Sequence, residues 1–180
     1  MNVCVFCGSS RGTLPVFQNE IKELARLLAL HQCTLVYGGG KVGLMGVLAD
    51  EVLRCRGRVI GVIPDFLLKL EVGHEGLTEL EVVSSMHERK KRMADLSDFF
   101  IAAPGGMGTL DELAEILTWK QLGLVNAPIG ILNTNSYFDL LYGQMQKMVE
   151  NDFLKTHSLT DIVFDDKALN LLTRIGVIKT

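Results

Sequence analysis

No apolar run in this sequence reaches the length of a membrane span, so a helical membrane protein is excluded. Positive charge is not in excess either. Lys and Arg number 18 against 21 Asp and Glu, a net charge of −3. That balance argues against a general nucleic-acid surface and leaves any anionic ligand to local positive charge. The 4 cysteines, Cys4, Cys7, Cys33 and Cys55, supply one C-x-x-C and no second pair, which rules out a four-cysteine zinc site. Thioredoxin-like pairs sit at a helix start, whereas Cys4 and Cys7 lie in an apolar strand. Strand alternation sends residues three apart to opposite faces, so both read as small buried hydrophobes. His31, His74, His87 and His157 are scattered without metal spacing, and none is assigned a role. No internal repeat, low-complexity tract or linker interrupts the chain, so residues 1–180 are expected to form one domain. The N-terminus, MNVCVFCGSS, begins directly as a strand without a basic leader region, and a cytoplasmic location is expected.

What the chain does contain is alternation. Strands are expected at Asn2–Cys7, Thr34–Tyr37, Arg58–Ile63, Leu80–Val83, Asp98–Ala103 and Pro128–Leu132, with a weaker one at Asp161–Phe164. Helices are expected at Val16–His31, Leu44–Arg56, Met86–Leu96, Leu110–Leu122, Tyr137–Glu150 and Asp166–Ile175. Such a series predicts an α/β fold, a Rossmann-like doubly wound and mainly parallel sheet covered on both faces. Only Asp65–Thr78 resists, and it reads as a mobile loop or a broken helix. Ligands of such sheets bind at the carboxyl ends of the strands, where Gly8, Gly38–Gly40 and Gly105–Gly108 would gather.

Pro104-Gly105-Gly106-Met107-Gly108-Thr109 follows a buried strand and opens a helix. Free backbone N–H groups at the positive end of the helix dipole attract phosphate, and glycines let the backbone approach it. Glu112 is expected in the first helical turn, where the dipole favours its ionised form. It suits the part of a base or a cation stabiliser. Leu110, Leu113 and Leu117 form the expected core stripe of that helix, with Glu112, Glu115 and Trp119 on another face. In MHERKKRMADL, Met86, Met93 and Ser97 define an inward stripe bordered by Arg89 and Lys90. A guanidinium beside a buried stripe needs an acidic or phosphate partner. Gly38, Gly40 and Gly43 make a G-x-G-x-x-G between strand and helix, which matches the dinucleotide fingerprint. It follows the second strand rather than the first, and a tight turn explains it equally well. Val42 after Lys41 excludes a Walker A loop.

Met86-His87-Glu88-Arg89-Lys90 together with Pro104 to Glu112 resembles the paired signature of the Lonely Guy (LOG) family, cytokinin riboside 5′-monophosphate phosphoribohydrolases. The similarity extends to Cys7–Ser10, Tyr37–Gly40, Gly61–Pro64 and Thr118–Gly123, with Asp111 where the family more often has Glu. The resemblance implies hydrolysis of the N-glycosidic bond of a nucleoside 5′-monophosphate to free base and ribose 5-phosphate. It implies Arg89 and Glu112 as the catalytic pair. Substrate contacts would come from Glu71, Lys90, Gly105, Gly106, Met107, Gly108, Thr109, Leu110, Asp111 and Thr118. It also implies a homodimer or larger homo-oligomer, with no cofactor and no metal. Many relatives carry the label lysine decarboxylase, but no lysine stands out as a Schiff-base site. Two rival readings are a non-catalytic nucleotide sensor or carrier, and a nicotinamide-dependent oxidoreductase built on Gly38, Gly40 and Gly43.

Overall fold

Among the described residues the apolar runs form β1 (Asn2–Phe6), β2 (Thr34–Tyr37), β3 (Arg58–Pro64), β4 (Glu79–Val83), β5 (Phe99–Ala102), β6 (Ile129–Leu132) and β7 (Ile162–Asp165). The intervening helices are α1 (Pro15–Leu30), α2 (Gly43–Arg54), α3 (Asp65–Leu68), α4 (Met86–Asp95), α5 (Met107–Gln121), α6 (Asp139–Glu150), α7 (Thr156–Thr160) and α8 (Ala168–Arg174). The structure is a computed structural model and describes residues 1–68 and 73–179. All seven strands join one sheet in the order β4-β3-β2-β1-β5-β6-β7, every pairing parallel. The expected α/β, doubly wound sheet is what forms.

Strand alternation sorts side chains between two cores. Val3, Val5, Leu35, Tyr37 and Ile101 face α1, α2 and α8, while Cys4, Phe6, Val36, Phe100 and Ile131 face α4, α5 and α6. Each fully buried Leu, Ile or Phe contributes about 1.5–3 kcal/mol, so the two-sided burial of β1 and β5 makes these strands the stable spine beneath the site. Cys4 and Cys7 lie in opposite cores, both buried and unbridged, as the strand period requires. Buried Glu51 ties α2 to α1 by accepting hydrogen bonds from Arg26 and twice from Arg54. No helix of the described residues is long and apolar enough to cross a membrane.

Three expectations need correcting. First, α5 begins at Met107 rather than Leu110, because extended Gly106 caps it and the glycine turn is itself the first helical turn. Second, its buried stripe is Thr109, Leu113 and Ile116, while Leu110 and Leu117 are only partly buried. Third, of the two readings of Asp65–Thr78, the described residues bear out the broken helix and leave no support for the mobile loop. Asp65–Leu68 makes one helical turn, and Gly73 pairs with Gly40. His74 N–H donates to the Gly39 carbonyl, and its buried ring lies between Asp50 Oδ1 at 2.9 Å and the Gly76 N–H at 3.1 Å. The short α7 was not anticipated, since five residues carry too little periodicity to register.

Candidate active site

The chain runs outward from β1 to β4 and then returns to β5 on the other side of β1, so strand order reverses there. At such a switch point the carboxyl ends of β1, β2 and β5 part and leave a crevice. A cavity of about 160 Å³ fills it, with Gly8, Gly38, Arg89, Gly106, Thr109 and Glu112 in its wall.

Arg89 reaches the cavity from α4. That helix starts at Ser85, whose Oγ accepts the Glu88 N–H, while Glu88 in return accepts from the N–H and hydroxyl of Ser84. This reciprocal cap fixes the helix one turn before Arg89. The arginine does not border the inward stripe; it belongs to it, between Met86 and Met93, and only 5% of its surface is exposed. Its Nε donates to the Val62 carbonyl at 3.1 Å and Nη2 to the Gly38 carbonyl at 2.9 Å. Nη1 lies 3.8 Å from Glu112 Oε1. At that distance the two form an ion pair rather than a hydrogen bond. A buried guanidinium is costly to leave unmatched, and two carbonyls plus a carboxylate meet that cost.

Glu112 lies in the second turn of α5, not the first, since the helix begins three residues earlier than expected. What aims it into the cavity is its facing of α4 and Arg89. Its negative charge is felt by its neighbours. Burial first, and Glu112 second, push the Cys4 and Cys7 thiols well above their ordinary range. Both thiols therefore stay protonated, so Cys7 offers no thiolate nucleophile even though it lines the cavity.

The N-terminus of α5 forms the rim. Gly106 provides no side-chain cap, and Met107, Gly108 and Thr109, the first residues of the helix, line the cavity. A Cβ on Gly106 or Gly108 would meet nothing within 4 Å, so the space before them is open. An anion can settle there. The other glycine helix start is closed. Gly8 O accepts the N–H groups of Leu44 and Met45, and Ser10 O also accepts from Leu44. Gly43 has φ +67°, and a Cβ there would stand 2.2 Å from the Ser9 carbonyl carbon. The tight-turn reading of Gly38, Gly40 and Gly43 is therefore the one the structure supports, and the dinucleotide reading loses the free helix end it needs.

Of the residues expected at the site, the structure gathers Arg89, Gly106, Met107, Gly108, Thr109 and Glu112. Gly105 lies just behind, its carbonyl turned to the Tyr137 hydroxyl. Lys90 is engaged instead with Asp111 and Glu115, each at 3.2 Å. Leu110 and Thr118 line a second, larger and mostly apolar cavity of about 360 Å³ between α5, α6 and α7. Glu71 lies outside the described residues. Sequence reasoning missed Tyr137, which carries no motif, and the cap made by Ser85 and Glu88, which its S-x-x-E spacing could have revealed. Among the described residues, no three or more His, Cys, Asp or Glu side chains gather as a metal site.

Fold and site together define an α/β protein with an open glycine-rich helix start and, at its switch point, a buried guanidinium paired with a partly buried carboxylate. Residues 45–175 match the sequence model of a family described as "Possible lysine decarboxylase". The chain is 45% identical over 173 residues to the probable cytokinin riboside 5′-monophosphate phosphoribohydrolase LOG4 of Oryza sativa subsp. japonica, spanning 96% of this chain and 75% of that protein. It is 42% identical to the cytokinin riboside 5′-monophosphate phosphoribohydrolase LOG4 of Arabidopsis thaliana, spanning 96% and 80% respectively. The chain belongs to the Lonely Guy family. In fold it is also similar to the molybdenum cofactor binding protein of Rippkaea orientalis, with a TM-score of 0.74 and 22% identity over 99% of this chain and 97% of the other.

Proposed function

We propose that this protein is a phosphoribohydrolase acting in the cytoplasm, cleaving the N-glycosidic bond of adenosine 5′-monophosphate or its N6-substituted forms. The observation that carries this reading is the pairing of buried Arg89 with partly buried Glu112, 3.8 Å apart, facing a cavity rimmed by the open start of α5. The family's named members at 42–45% identity are phosphoribohydrolases. A cavity of about 160 Å³ suits the sugar-phosphate half of a nucleotide, with the base lying toward its mouth.

In this reading the 5′-phosphate sits on the N–H groups of Gly106 to Thr109. Binding energy from that remote group positions the ribose for attack. As the C1′–N9 bond lengthens, its electron pair leaves with the base and positive charge builds on the sugar. Glu112 stabilises that charge and takes a proton from the water whose oxygen bonds to C1′. The base takes up a proton from solvent as it leaves, Glu112 returns to solvent the proton it took, and ribose 5-phosphate departs from the regenerated carboxylate. Arg89 is anchored by two backbone carbonyls and holds Glu112 in register. Lys90, Leu110, Asp111 and Gly105 support the cradle from outside its wall.

A decarboxylase reading fits less well. A Schiff-base lysine needs a lowered pKa. Burial pulls the Lys90 ammonium down, but Asp111 and Glu115 outweigh it and hold Lys90 above its ordinary range.

The protein would work as a homodimer or larger homo-oligomer. Thr118 is absent from the wall of its own chain's cavity, so a substrate contact by Thr118 would come from a second copy. Light scattering during size exclusion tests this, and a mass of 19.9 kDa would refute it. The activity itself is tested by chromatography of free base released from adenosine monophosphate and its N6-prenyl derivative. Glu112→Gln should reduce release by about 100-fold or more while nucleotide still binds. Full turnover by that variant removes Glu112 from the mechanism. Binding without turnover by the wild type would mark a carrier or sensor.

A further inference from the structure

The loop bearing the rim is held from two sides. Gly8 N–H donates to the Pro104 carbonyl at 3.1 Å, and the Tyr137 hydroxyl donates to the Gly105 carbonyl at 2.5 Å. Tyr137 is no part of the cavity wall and approaches from behind the loop, whereas Gly106 is part of that wall. In a planar trans peptide the C=O and the following N–H point in opposite directions. Drawing the Gly105 carbonyl toward Tyr137 therefore turns the Gly106 N–H away from it, to the cavity. Both residues flanking this peptide are glycines, so without an anchor the plane has wide rotational freedom.

Several contacts fix the tyrosine itself. Asn133 Oδ1 accepts the Phe138 N–H at 2.7 Å, Asn133 Nδ2 donates to Asp139 at 2.7 Å, and the Asn133 N–H donates to the Asp165 carbonyl at 2.8 Å. Between them Asn135 and Ser136 hold φ of 55° and 58°, a left-handed conformation that serine rarely adopts. The Tyr137 ring packs edge-on against Phe17 and Phe138, with centroids 5.8 and 5.0 Å away. Even so, 46% of Tyr137 remains exposed, so burial is not what this turn secures. What it secures is the hydroxyl contact.

We infer that Tyr137 is a positioning residue for phosphate binding: its hydroxyl fixes the Gly105–Gly106 peptide so that the Gly106 N–H is presented to the substrate's phosphate. This rests on the phosphate cradle proposed above. Tyr137→Phe keeps the ring and its aromatic contacts and removes only the hydroxyl.

The test compares wild type with Tyr137→Phe in three measurements: ribose 5-phosphate affinity by calorimetry, kinetics on adenosine monophosphate, and kinetics on adenosine, which lacks the phosphate. Loss of one oriented donor should raise the ribose 5-phosphate Kd and the nucleotide KM about 3- to 10-fold. The kcat on nucleotide should stay within about 2-fold, and kcat/KM on adenosine should not change. Unchanged ribose 5-phosphate affinity overturns the inference. So does an equal loss on nucleotide and nucleoside, which a merely structural role would produce. If wild type itself binds no ribose 5-phosphate, the cradle is wrong and the inference falls with it, a failure visible without any substitution.

Discussion

Gly38→Ala puts the Arg89–Glu112 arrangement to a demanding test, because the added methyl falls first on Arg89 and leaves the Glu112 side chain and the cradle sequence unaltered. A Cβ at Gly38 would stand 1.9 Å from Arg89 Nη2 and 3.0 Å from its Cζ, with Met45 Sδ at 3.3 Å. Non-bonded heavy atoms sit about 3.5–4.0 Å apart, so the guanidinium must retreat by about 1.5–2 Å. Gly38 is not among the glycines of positive φ, so alanine suits its backbone and the consequence falls mainly on that arginine, with a small adjustment of Met45.

Two effects then compete. Arg89 is a long side chain that can yield, and losing one charged hydrogen bond costs about 1.5–3 kcal/mol. For a chain of this size that lowers Tm by about 3–12 °C. Catalysis is less forgiving, because misplacing a positioned group by about 1 Å costs roughly 100-fold. The expected outcome is a folded protein with kcat/KM down about 100-fold, close to that of Arg89→Ala. It would be measured by base release beside a melting curve. A Gly38→Ala enzyme within about 3-fold of wild type would show that the Arg89 position does not matter to turnover, and the reasoning would fail.

Glu51 should govern acid stability. Hydrogen bonding to Arg54, and then to Arg26, outweighs burial and holds its carboxyl at about 2 against an ordinary 4.5. A depressed folded-state value means the stabilisation is fully present above pH 4.5 and is lost as pH falls toward 2. With both arginines about half exposed, Glu51→Gln should cost on the order of 1 kcal/mol at pH 7, and denaturant titrations of the two proteins should converge near pH 2. A constant gap across that range would contradict this account. The thiols offer a further check: iodoacetamide at pH 8 should modify Cys55 in the native protein and spare Cys4, Cys7 and Cys33 until it unfolds. Peptide mass spectrometry reads the outcome, and native modification of Cys7 would refute the buried, protonated thiol.

The sheet was legible because β1, β2, β3, β5 and β6 are short apolar runs with turn residues at both ends, and its parallel pairing followed from the alternation with helices, whereas the strand order came from the structure. Helix starts were harder to read. Hydrophobic periodicity marks where a helix first packs, so it located α5 at Leu110, whereas the backbone turns helical at Met107, through exposed Met107 and Gly108 and buried but polar Thr109, which set no apolar period. The same bias misassigned Arg89. A charged residue on an apolar stripe reads as a border position, and its burial is explained by the Val62 and Gly38 carbonyls, 27 and 51 residues away in the chain, together with Glu112. Tyr137 was invisible for a similar reason, since its partner lies 32 residues away and one tyrosine after a turn has no motif.

The two glycine-rich helix starts show where motif reasoning stops. Gly38 to Gly46 and Gly105 to Thr109 both follow a parallel strand and both open a helix at the same sheet edge, so elementary electrostatics offers each as an anion site. What separates them is occupancy by the protein's own carbonyls. At α2 the N–H groups of Leu44 and Met45 are taken by Gly8 and Ser10, residues that arrive from β1. At α5 the Gly8 N–H instead donates to Pro104, which shapes the loop without filling the helix end. One loop after β1 thus closes the first site with its acceptors and props the second open with its donor. The carboxylate follows the same logic: Glu112 faces the open helix start and Arg89, while the closed one is left to supply Gly38 O as the arginine's anchor. The division of labour between two similar turns is therefore set by β1, the strand both of them neighbour, and not by the glycines that make them recognisable.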